Sequence, residues 1–286
     1  MNPFDLRGPE FLLFYFCFSL AVIIAILVLR RRAESGDAPR IDLSDPYLIA
    51  YLRGGREEAL RVSVISLVDR GMLVMDGRLV RRADNVAYDM VGRPIERAVF
   101  EKFSVPGEAV TILKSRNLSR NLAQVFQFYQ DSLERLGLLP DAAVFNARLM
   151  RLLPGLAALM VVGVIKIQIG LSLERPVGFL FMMMIVASVI AAAISFPRLT
   201  ARGKAMLEDV TNLYSGLRTQ VNLFHPGSAS AELTMFAAVF GVAALAESPL
   251  GYTQTLFPQT TSSCGSSDGG GGCGGGGCGG CGGCGG

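Results

Sequence analysis

Three long apolar runs dominate the pattern of hydrophobic and polar residues along the chain. The first, Phe11–Leu29, carries no charge and is long enough to cross a hydrocarbon core of about 30 Å as a helix. The second and third, Leu152–Leu173 and Val177–Phe196, are separated only by residues 174–176, which predicts a tight helical hairpin. The pattern therefore predicts a mainly α, polytopic membrane protein with three spans.

Clusters of basic residues flank the three runs and predict their orientation. Cytoplasmic loops of membrane proteins carry an excess of Lys and Arg. A three-span chain in which residues 1–10 form a short outer N-terminus puts every cluster on the cytoplasmic side. The clusters are Arg30, Arg31 and Arg32 after the first run, Arg148 and Arg151 before the second, and Arg198, Arg202 and Lys204 after the third. This predicts a multi-pass protein of the bacterial inner membrane with the bulk of the chain in the cytoplasm.

Lys166 is the single charge inside the second run. A cation within a span is a candidate functional residue by default. Lys166 lies within about two turns of the outer end of the run, so its long stem can bring the ammonium group to the membrane surface. We expect Lys166 to snorkel in this way rather than to take part in transport.

A fourth apolar stretch, residues 233–246, is too short to be interpreted in one way. As a helix it covers only about 21 Å, and Glu232 and Glu247 bracket it. It predicts a short interfacial or re-entrant helix rather than a span. If it does cross the membrane, the fold has four spans and the C-terminal tail lies outside.

Residues 30–150 lie between the first two runs and predict a small cytosolic α+β domain. Within it, Tyr47–Leu52 predicts a short helix, and Arg56–Arg70 predicts an amphipathic helix that ends at Gly71. The stretch MLVMDGRLV then alternates around Asp76-Gly77, a dipeptide typical of two-residue hairpin turns. Helix, glycine and hairpin in this order form the end of a winged-helix unit, so we expect a winged-helix-like insert.

A weaker copy of this order follows in the same insert. Pro94–Phe103 is helical in pattern, and Leu118–Leu136 predicts a long helix that ends at Gly137. The two helix endings, LVDRGMLV and LERLGLLP, are alike, and an internal duplication is one interpretation. Downstream of the third run, residues 198–225 predict an amphipathic juxtamembrane helix that lies along the membrane or packs on the insert. It ends at His225, the chain's only histidine, which we interpret as a loop residue.

The predicted helix Arg56–Arg70 carries charges of both signs. Its basic residues are Arg56, Arg61 and Arg70, and its acidic residues are Glu57, Glu58 and Asp69. A recognition helix that enters a DNA groove needs several basic or amide side chains on its exposed face. The mixed surface favours a protein partner for the insert. A membrane-anchored regulator with a nucleic-acid-binding winged helix is the alternative interpretation.

The C-terminal residues 258–286 consist largely of glycine and cysteine and contain too few apolar side chains to bury a core, which predicts a disordered tail. The last three cysteines lie three residues apart and form overlapping C-x-x-C pairs, a spacing that lets two sulfurs reach one ion. Thiolates suit soft ions such as copper(I) or zinc, or an iron–sulfur unit. The predicted metal ligands are Cys264, Cys273, Cys278, Cys281 and Cys284.

Two other interpretations of the tail stay open. Unhindered cysteines between glycines suit an enzyme that cyclises, oxidises or lipidates them, and a tail with no specific role has the same composition. Disulfides are not expected, because the predicted topology puts the tail in the reducing cytoplasm. The sequence contains no G-x-S-x-G, H-E-x-x-H or P-loop motif and only one histidine, so we predict a non-enzymatic protein.

Three segments give the chain a resemblance to a known family. DPYLIAYLRGG (residues 45–55), RVSVISLVDRGML (residues 61–73) and PRLTARGKAML (residues 197–207), followed by a Gly/Cys-rich tail, resemble a family of uncharacterised bacterial membrane proteins. The resemblance covers nearly the whole chain and implies the same layout, with no catalytic residue to carry over. The chain is also similar, more loosely, to the C-terminal half of another bacterial membrane family with winged-helix-like units. The tail alone is similar in composition to thiazole-bearing microcins.

Overall fold

The computed structural model describes residues 8–34, 45–84, 86, 88–172, 178–219, 231–247 and 252–257. The turn predicted at 174–176, His225 and the whole tail 258–286 lie outside these residues. The described chain groups into two compact units. We call residues 8–27 and the described part of 148–198 the apolar unit, and the described residues of 28–147 and 199–257 the sheet unit.

The fold is mainly helical, which confirms the coarse prediction. Among the described residues the α-helices are, in chain order, α1 (Gly8–Glu34), α2 (Pro46–Gly54), α3 (Arg56–Asp69), α4 (Pro94–Lys102), α5 (Ala109–Leu113), α6 (Arg116–Asn121), α7 (Ala123–Arg135), α8 (Ala142–Ser172), α9 (Gly178–Ser195), α10 (Ala201–Leu213), α11 (Ser215–Thr219), α12 (Ala231–Phe240) and α13 (Tyr252–Leu256). The strands are β1 (Leu73–Asp76), β2 (Leu79–Arg82) and β3 (Gly107–Glu108). Short 3-10 helices cover Tyr88–Met90 and Val242–Glu247.

Three helices, α1, α8 and α9, are long and apolar enough to cross a membrane, as the three apolar runs predicted. The first and third correspond closely to the predicted runs. By contrast, α8 begins at Ala142, inside the range 30–150 that was predicted for the cytosolic domain. One helix therefore runs from the polar end of the insert into the second apolar run, with Pro154 inside it.

Two glycines of α8 allow the three apolar helices to pack closely. A Cβ atom at Gly155 would lie 2.9 Å from Cδ1 of Ile26 on α1, and one at Gly163 would lie 2.7 Å from Sδ of Met184 on α9. On α1, the buried Tyr15 hydroxyl donates a hydrogen bond of 3.2 Å to the carbonyl oxygen of Leu159. The opposite faces of the helices are apolar and open, and Leu13 and Phe179 are 68% and 69% exposed.

The sheet unit is built around one hydrophobic core. Asp45 begins α2, because its carboxylate accepts the Tyr47 backbone N–H at 3.0 Å and Pro46 occupies the first turn. The largest fully buried side chains of this core are Tyr47, Phe100, Phe103, Phe126, Phe236, Ile65, Leu67, Leu73, Ile95 and Leu118. They come from α2, α3, α4, α6, α7, α12, β1 and the residue after α4, so this core joins elements that are distant in sequence.

Helix α3 ends as predicted at Gly71, which has a φ of 68°. The N–H groups of Gly71 and Met72 donate to the carbonyl oxygens of Val68 at 3.0 Å and Leu67 at 2.9 Å. This pattern is the Schellman motif. Helix α7 ends in the same way, since Gly137 has a φ of 68° and the N–H groups of Gly137 and Leu138 donate at 2.9 Å to the carbonyl oxygens of Glu134 and Leu133. The two endings that look alike in sequence are thus alike in backbone geometry.

The predicted hairpin is present with its turn shifted by one residue. Strands β1 and β2 are antiparallel and Asp76 pairs with Leu79, so the loop is Gly77-Arg78 rather than Asp76-Gly77. Gly77 has a φ of 61° at the first loop position, where glycine carries no steric penalty. A third strand that was not predicted, β3, pairs with β2 and completes a three-stranded sheet in the order β1-β2-β3.

Two predicted long helices are each divided in the structure. The range 118–136 contains parts of α6 and α7, which meet at Leu122, a buried residue outside both helices. The range 198–225 contains α10 and α11, and its end lies outside the described residues. Helix α10 packs on the insert through Met206 and Val210, both of which belong to the sheet-unit core.

An interfacial or membrane helix was predicted at residues 233–246. This stretch forms α12 and the following 3-10 helix inside the sheet unit. Leu233, Phe236 and Ala237 are fully buried in the same core as α2 and α3. The segment is apolar because other parts of the protein surround it.

Candidate functional site

The five predicted metal ligands, Cys264, Cys273, Cys278, Cys281 and Cys284, all lie outside the described residues. Within the described part of the chain, no group of three or more His, Cys, Asp or Glu side chains is placed to hold a metal ion. Cys17 is exposed on α1 and has a free thiol. The polar groups that the structure does bring together belong mainly to the sheet unit.

The first group surrounds the start of α2, and we call it the cap cluster: Asp45, Tyr47, Arg70, Arg93, Glu96 and Tyr129. Arg93 Nη1 donates to Asp45 Oδ1 at 2.6 Å, and the Tyr129 hydroxyl donates to Asp45 Oδ2 at 3.3 Å. The Tyr47 hydroxyl donates to Glu96 Oε1, and Arg70 Nη1 donates to Glu96 Oε2 at 2.9 Å. Both carboxylates therefore have partners on each oxygen.

The electrostatics of the cap cluster keep its two phenols neutral. Burial, reinforced by the Glu96 carboxylate, raises the pKa of Tyr47 far above its usual value. Burial and the Asp45 carboxylate raise the pKa of Tyr129 in the same direction. Glu96 is only 3% exposed, so protein covers nearly all of this residue. Hydrogen bonds between the side chains of the cluster join α2, α4 and α7.

The second group ties α12 to α2 and α3, and we call it the clamp: Arg53, Glu58, Phe240, Gly241 and Val242. Arg53 donates to the Glu58 carboxylate and, at 3.2 Å, to the carbonyl oxygen of Phe240 at the end of α12. Glu58 also accepts the Val242 N–H at 3.4 Å. Helix ends leave unpaired carbonyl groups, and a guanidinium is well suited to satisfy one.

Gly241 lets the guanidinium of Arg53 approach the chain. Its φ is 93°, and a Cβ atom at this position would come within 2.6 Å of Arg53 Cζ. The two positions after Arg53 also favour glycine, one because of a close contact and the other because of its backbone conformation. Gly54 lies against Glu58, where an added Cβ would stand 2.9 Å from Cγ, and Gly55 has a φ of 76° between α2 and α3. The RGG motif of the sequence is therefore a structural device that brings Arg53 and Glu58 onto α12.

The short helix α13 leaves two buried hydroxyls without partners. Among the described residues, neither Tyr252 Oη nor Thr253 Oγ1 finds a hydrogen bond, although Thr253 is only 1% exposed. Burial and the nearby Asp69 carboxylate raise the pKa of Tyr252 to about 12. Phe257, the last described residue, lies under Arg61 of α3, with Cζ at 5.8 Å from the ring centroid.

A third contact, at the start of α10, explains the segment PRLTARGKAML. The Thr200 hydroxyl accepts the Gly203 N–H at 3.0 Å and donates to the Gly137 carbonyl at 2.7 Å. Gly203 itself packs against the Leu138 carbonyl so closely that any side chain would collide with it. Glu34, at the end of α1, accepts the Ala201 N–H at 3.2 Å. The segment thus joins α10 to the end of α7.

The charges on the exposed side of α3 pair with one another. Arg61 lies 3.7 Å from a Glu57 oxygen and 3.5 Å from a Glu58 oxygen. Arg56 lies over the Phe126 ring at 5.7 Å. Arg56 and Arg61 thus contact groups of the protein itself.

In the apolar unit, Lys166 lies beside an aromatic ring. Its Nζ is 4.6 Å from the centroid of Phe11, a distance suited to a cation–π interaction. Phe11 belongs to the first turn of α1, so Lys166 is level with the end of that helix. The snorkelling prediction concerns a membrane and stays a prediction.

Sequence reasoning missed the clamp and the cap cluster as assemblies, because the hydrogen bonds that hold them join residues 5 to 187 positions apart in sequence. The signals for the clamp were the RGG motif and the isolated Gly241 at the end of an apolar helix. Comparisons of the chain with protein families, curated proteins and solved structures find no match.

Proposed function

We propose that this chain is a non-enzymatic, three-span protein of the bacterial inner membrane, with its N-terminus outside and the sheet unit in the cytoplasm. The observation that carries this proposal is the surface of the apolar unit. Its three helices pack through glycines on one side and present open apolar side chains on the other, which water does not favour and lipid does. The basic clusters beside the three runs support the orientation.

The sheet unit serves, in this proposal, as a winged-helix-like protein-interaction module. The order α3, Gly71 and hairpin supports the winged-helix description, with β3 as the third strand. Two apolar side chains of the hairpin, Val74 and Leu79, are partly open to solvent and suit a protein surface. The paired charges of α3 argue against nucleic acid as the partner.

In this proposal, the chemically reactive part of the protein is the Cys/Gly tail. It either binds a soft metal ion such as copper(I) or zinc, or is the substrate of a modifying enzyme. Support comes from the C-x-x-C spacing and from the engagement of the polar groups of the cap cluster and the clamp in packing. Glycine adds no groups that orient a ligand, so we expect modest metal affinity unless a partner contributes donors.

The test uses the full-length protein purified from native membranes in three forms: wild type, a variant with the five tail cysteines changed to Ser, and the matched control Cys17→Ser. Metal content and intact mass are measured for each. We expect copper or zinc, or a mass change confined to the tail, in the wild type and the control but not in the tail variant. Metal content and mass that do not depend on the tail cysteines would overturn this function.

A further inference from the structure

We infer that the described residues 231–247 and 252–257 do not enter the membrane, and that the Cys/Gly tail starts on the same side of the bilayer as α2, α3 and α7. This inference rests on the proposed membrane insertion of the apolar unit and extends it to the tail. The sequence alone is compatible with a tail on either side of the membrane, because it does not show whether the apolar stretch 233–246 crosses. The contacts of that stretch decide between the two sides.

Length is the first argument. Helix α12 has 10 residues, which corresponds to about 15 Å at 1.5 Å per residue. Gly241, with a φ of 93°, ends the helix, and a 3-10 helix of 6 residues continues the segment. A hydrocarbon core of about 30 Å needs roughly twice the length of α12.

Burial is the second argument. Helices that face lipid keep apolar side chains open, as α9 does with Phe179, Met182 and Val189. In α12 the large apolar residues Leu233 and Phe236 are instead covered by the sheet unit. The large apolar side chains of α12 are therefore already buried by protein, and they present little surface to a lipid.

The clamp is the third argument. The Arg53–Glu58 ion pair attaches to both the Phe240 carbonyl and the Val242 N–H, at the point where a spanning helix would be near the middle of the bilayer. An ion pair at that depth is costly, and backbone that has left a helix is tolerated there only when protein or water surrounds it. The clamp fits a segment that lies with α2 and α3 in an aqueous compartment.

The last described residue fixes where the tail begins. Phe257 packs under Arg61, so the described chain ends beside α3. Cys264 is then at most about 25 Å from Phe257, the extended length of seven residues. With the sheet unit in the cytoplasm, all five tail cysteines are in a reducing compartment, where disulfides between them are not expected. Soft metal or a modifying enzyme must therefore reach the tail from the cytoplasm.

The test is cysteine labelling of the full chain with a membrane-impermeant maleimide polymer in inside-out and right-side-out membrane vesicles. All six native cysteines are changed to Ser, and one reporter is added at a time. Ser263→Cys reports the tail, Gln127→Cys reports the exposed surface of α7, and Arg175→Cys reports the predicted outer turn. Labelling after detergent solubilisation gives the total for each reporter.

We expect Ser263→Cys and Gln127→Cys to be labelled in inside-out vesicles, and Arg175→Cys in right-side-out vesicles. Labelling of Ser263→Cys from the side opposite to Gln127→Cys would overturn the inference, since the segment would then have crossed. Labelling of Arg175→Cys from the same side as Gln127→Cys would instead overturn the three-span proposal. Comparison of Ser263→Cys with Gln127→Cys would still decide whether the tail and α7 are on the same side.

Discussion

Gly241 shows how much of the sheet unit depends on single positions. The residue closes α12 with a positive φ and leaves the room in which Arg53 reaches the Phe240 carbonyl. A side chain there meets both a conformational and a steric penalty. Gly92 is a contrasting glycine, since it has open space around its Cα and a φ outside the left-handed region.

Gly241→Ala is therefore expected to destabilise the sheet unit by about 1–3 kcal/mol, because a non-glycine residue with positive φ is strained and the new methyl group displaces Arg53. The measurement is urea-dependent proteolysis of the protein in detergent. The matched control Gly92→Ala should change stability by less than about 0.5 kcal/mol. Equal effects of the two substitutions would contradict the role given to Gly241.

The raised pKa of Tyr252 affects the stability of the protein at alkaline pH. Burial raises this pKa to about 12, above its unfolded value of 10.0, so the folded state holds the phenol proton more tightly. Ionisation of Tyr252 therefore leaves the stability of the fold unchanged below pH 10 and lowers it as the pH rises through 10 toward 12. Tyr252→Phe should lessen this decline, and the remaining decline comes from groups common to both proteins.

At neutral pH, Tyr252→Phe should stabilise the protein by about 1 kcal/mol, because it removes a buried hydroxyl that has no partner among the described residues. Melting in detergent between pH 7 and pH 12 measures both effects. Tyr88→Phe, which removes a half-exposed hydroxyl, is the control. A loss of stability at pH 7 in Tyr252→Phe would show that the hydroxyl has a partner.

At the scale of elements, the sequence pattern predicted the helix ends that depend on interactions between nearby residues. Asp45, Pro46, Gly71 and Gly137 act through capping and backbone geometry within a few residues, so α2 and the ends of α3 and α7 were visible in the sequence. The break at Leu122 was not, because a buried apolar residue between two helices fits a helical period as well as a turn. The two-residue strand β3 is too short to leave a pattern.

The packing of helix α12 in the sheet-unit core could not be predicted for a different reason. Hydropathy reports that a segment avoids water, and it cannot distinguish lipid from the interior of a protein. We predict that Phe236→Ala costs about 3–5 kcal/mol, because Phe236 is 1% exposed in the core of the sheet unit. Phe128→Ala, at a phenylalanine that is 67% exposed on α7, should stay within about 0.5 kcal/mol.

Urea-dependent proteolysis of the two variants in detergent separates these costs. A Phe236→Ala protein as stable as Phe128→Ala would mean that α12 does not belong to the core. The pair thus tests the location of α12 by stability, independently of labelling from either side of the membrane.

At the scale of the whole molecule, the hydropathy pattern alone predicted the three membrane-length helices. Such a helix requires only an apolar run of sufficient length. Assembly was not predictable in the same way. The clamp joins Arg53 to Phe240, and the contact at Thr200 joins α10 to Gly137, so each depends on contacts across long stretches of chain. The predicted ligands Cys264 to Cys284 lie outside the described residues, and that part of the site rests on sequence alone.

The contact between Thr200 and Gly137 has a consequence for biogenesis. Residues 148–198 separate its partners in sequence and belong to the apolar unit. Chains leave the ribosome from the N-terminus at about 5–20 residues per second, so α8 and α9 emerge before Thr200 and well before Phe236. With α8 and α9 as the proposed spans, the sheet unit cannot close its core until the translocon has received its membrane anchor. In this proposal, folding of the sheet unit waits for insertion of α8 and α9, and an arrested insertion leaves the unit open to proteases.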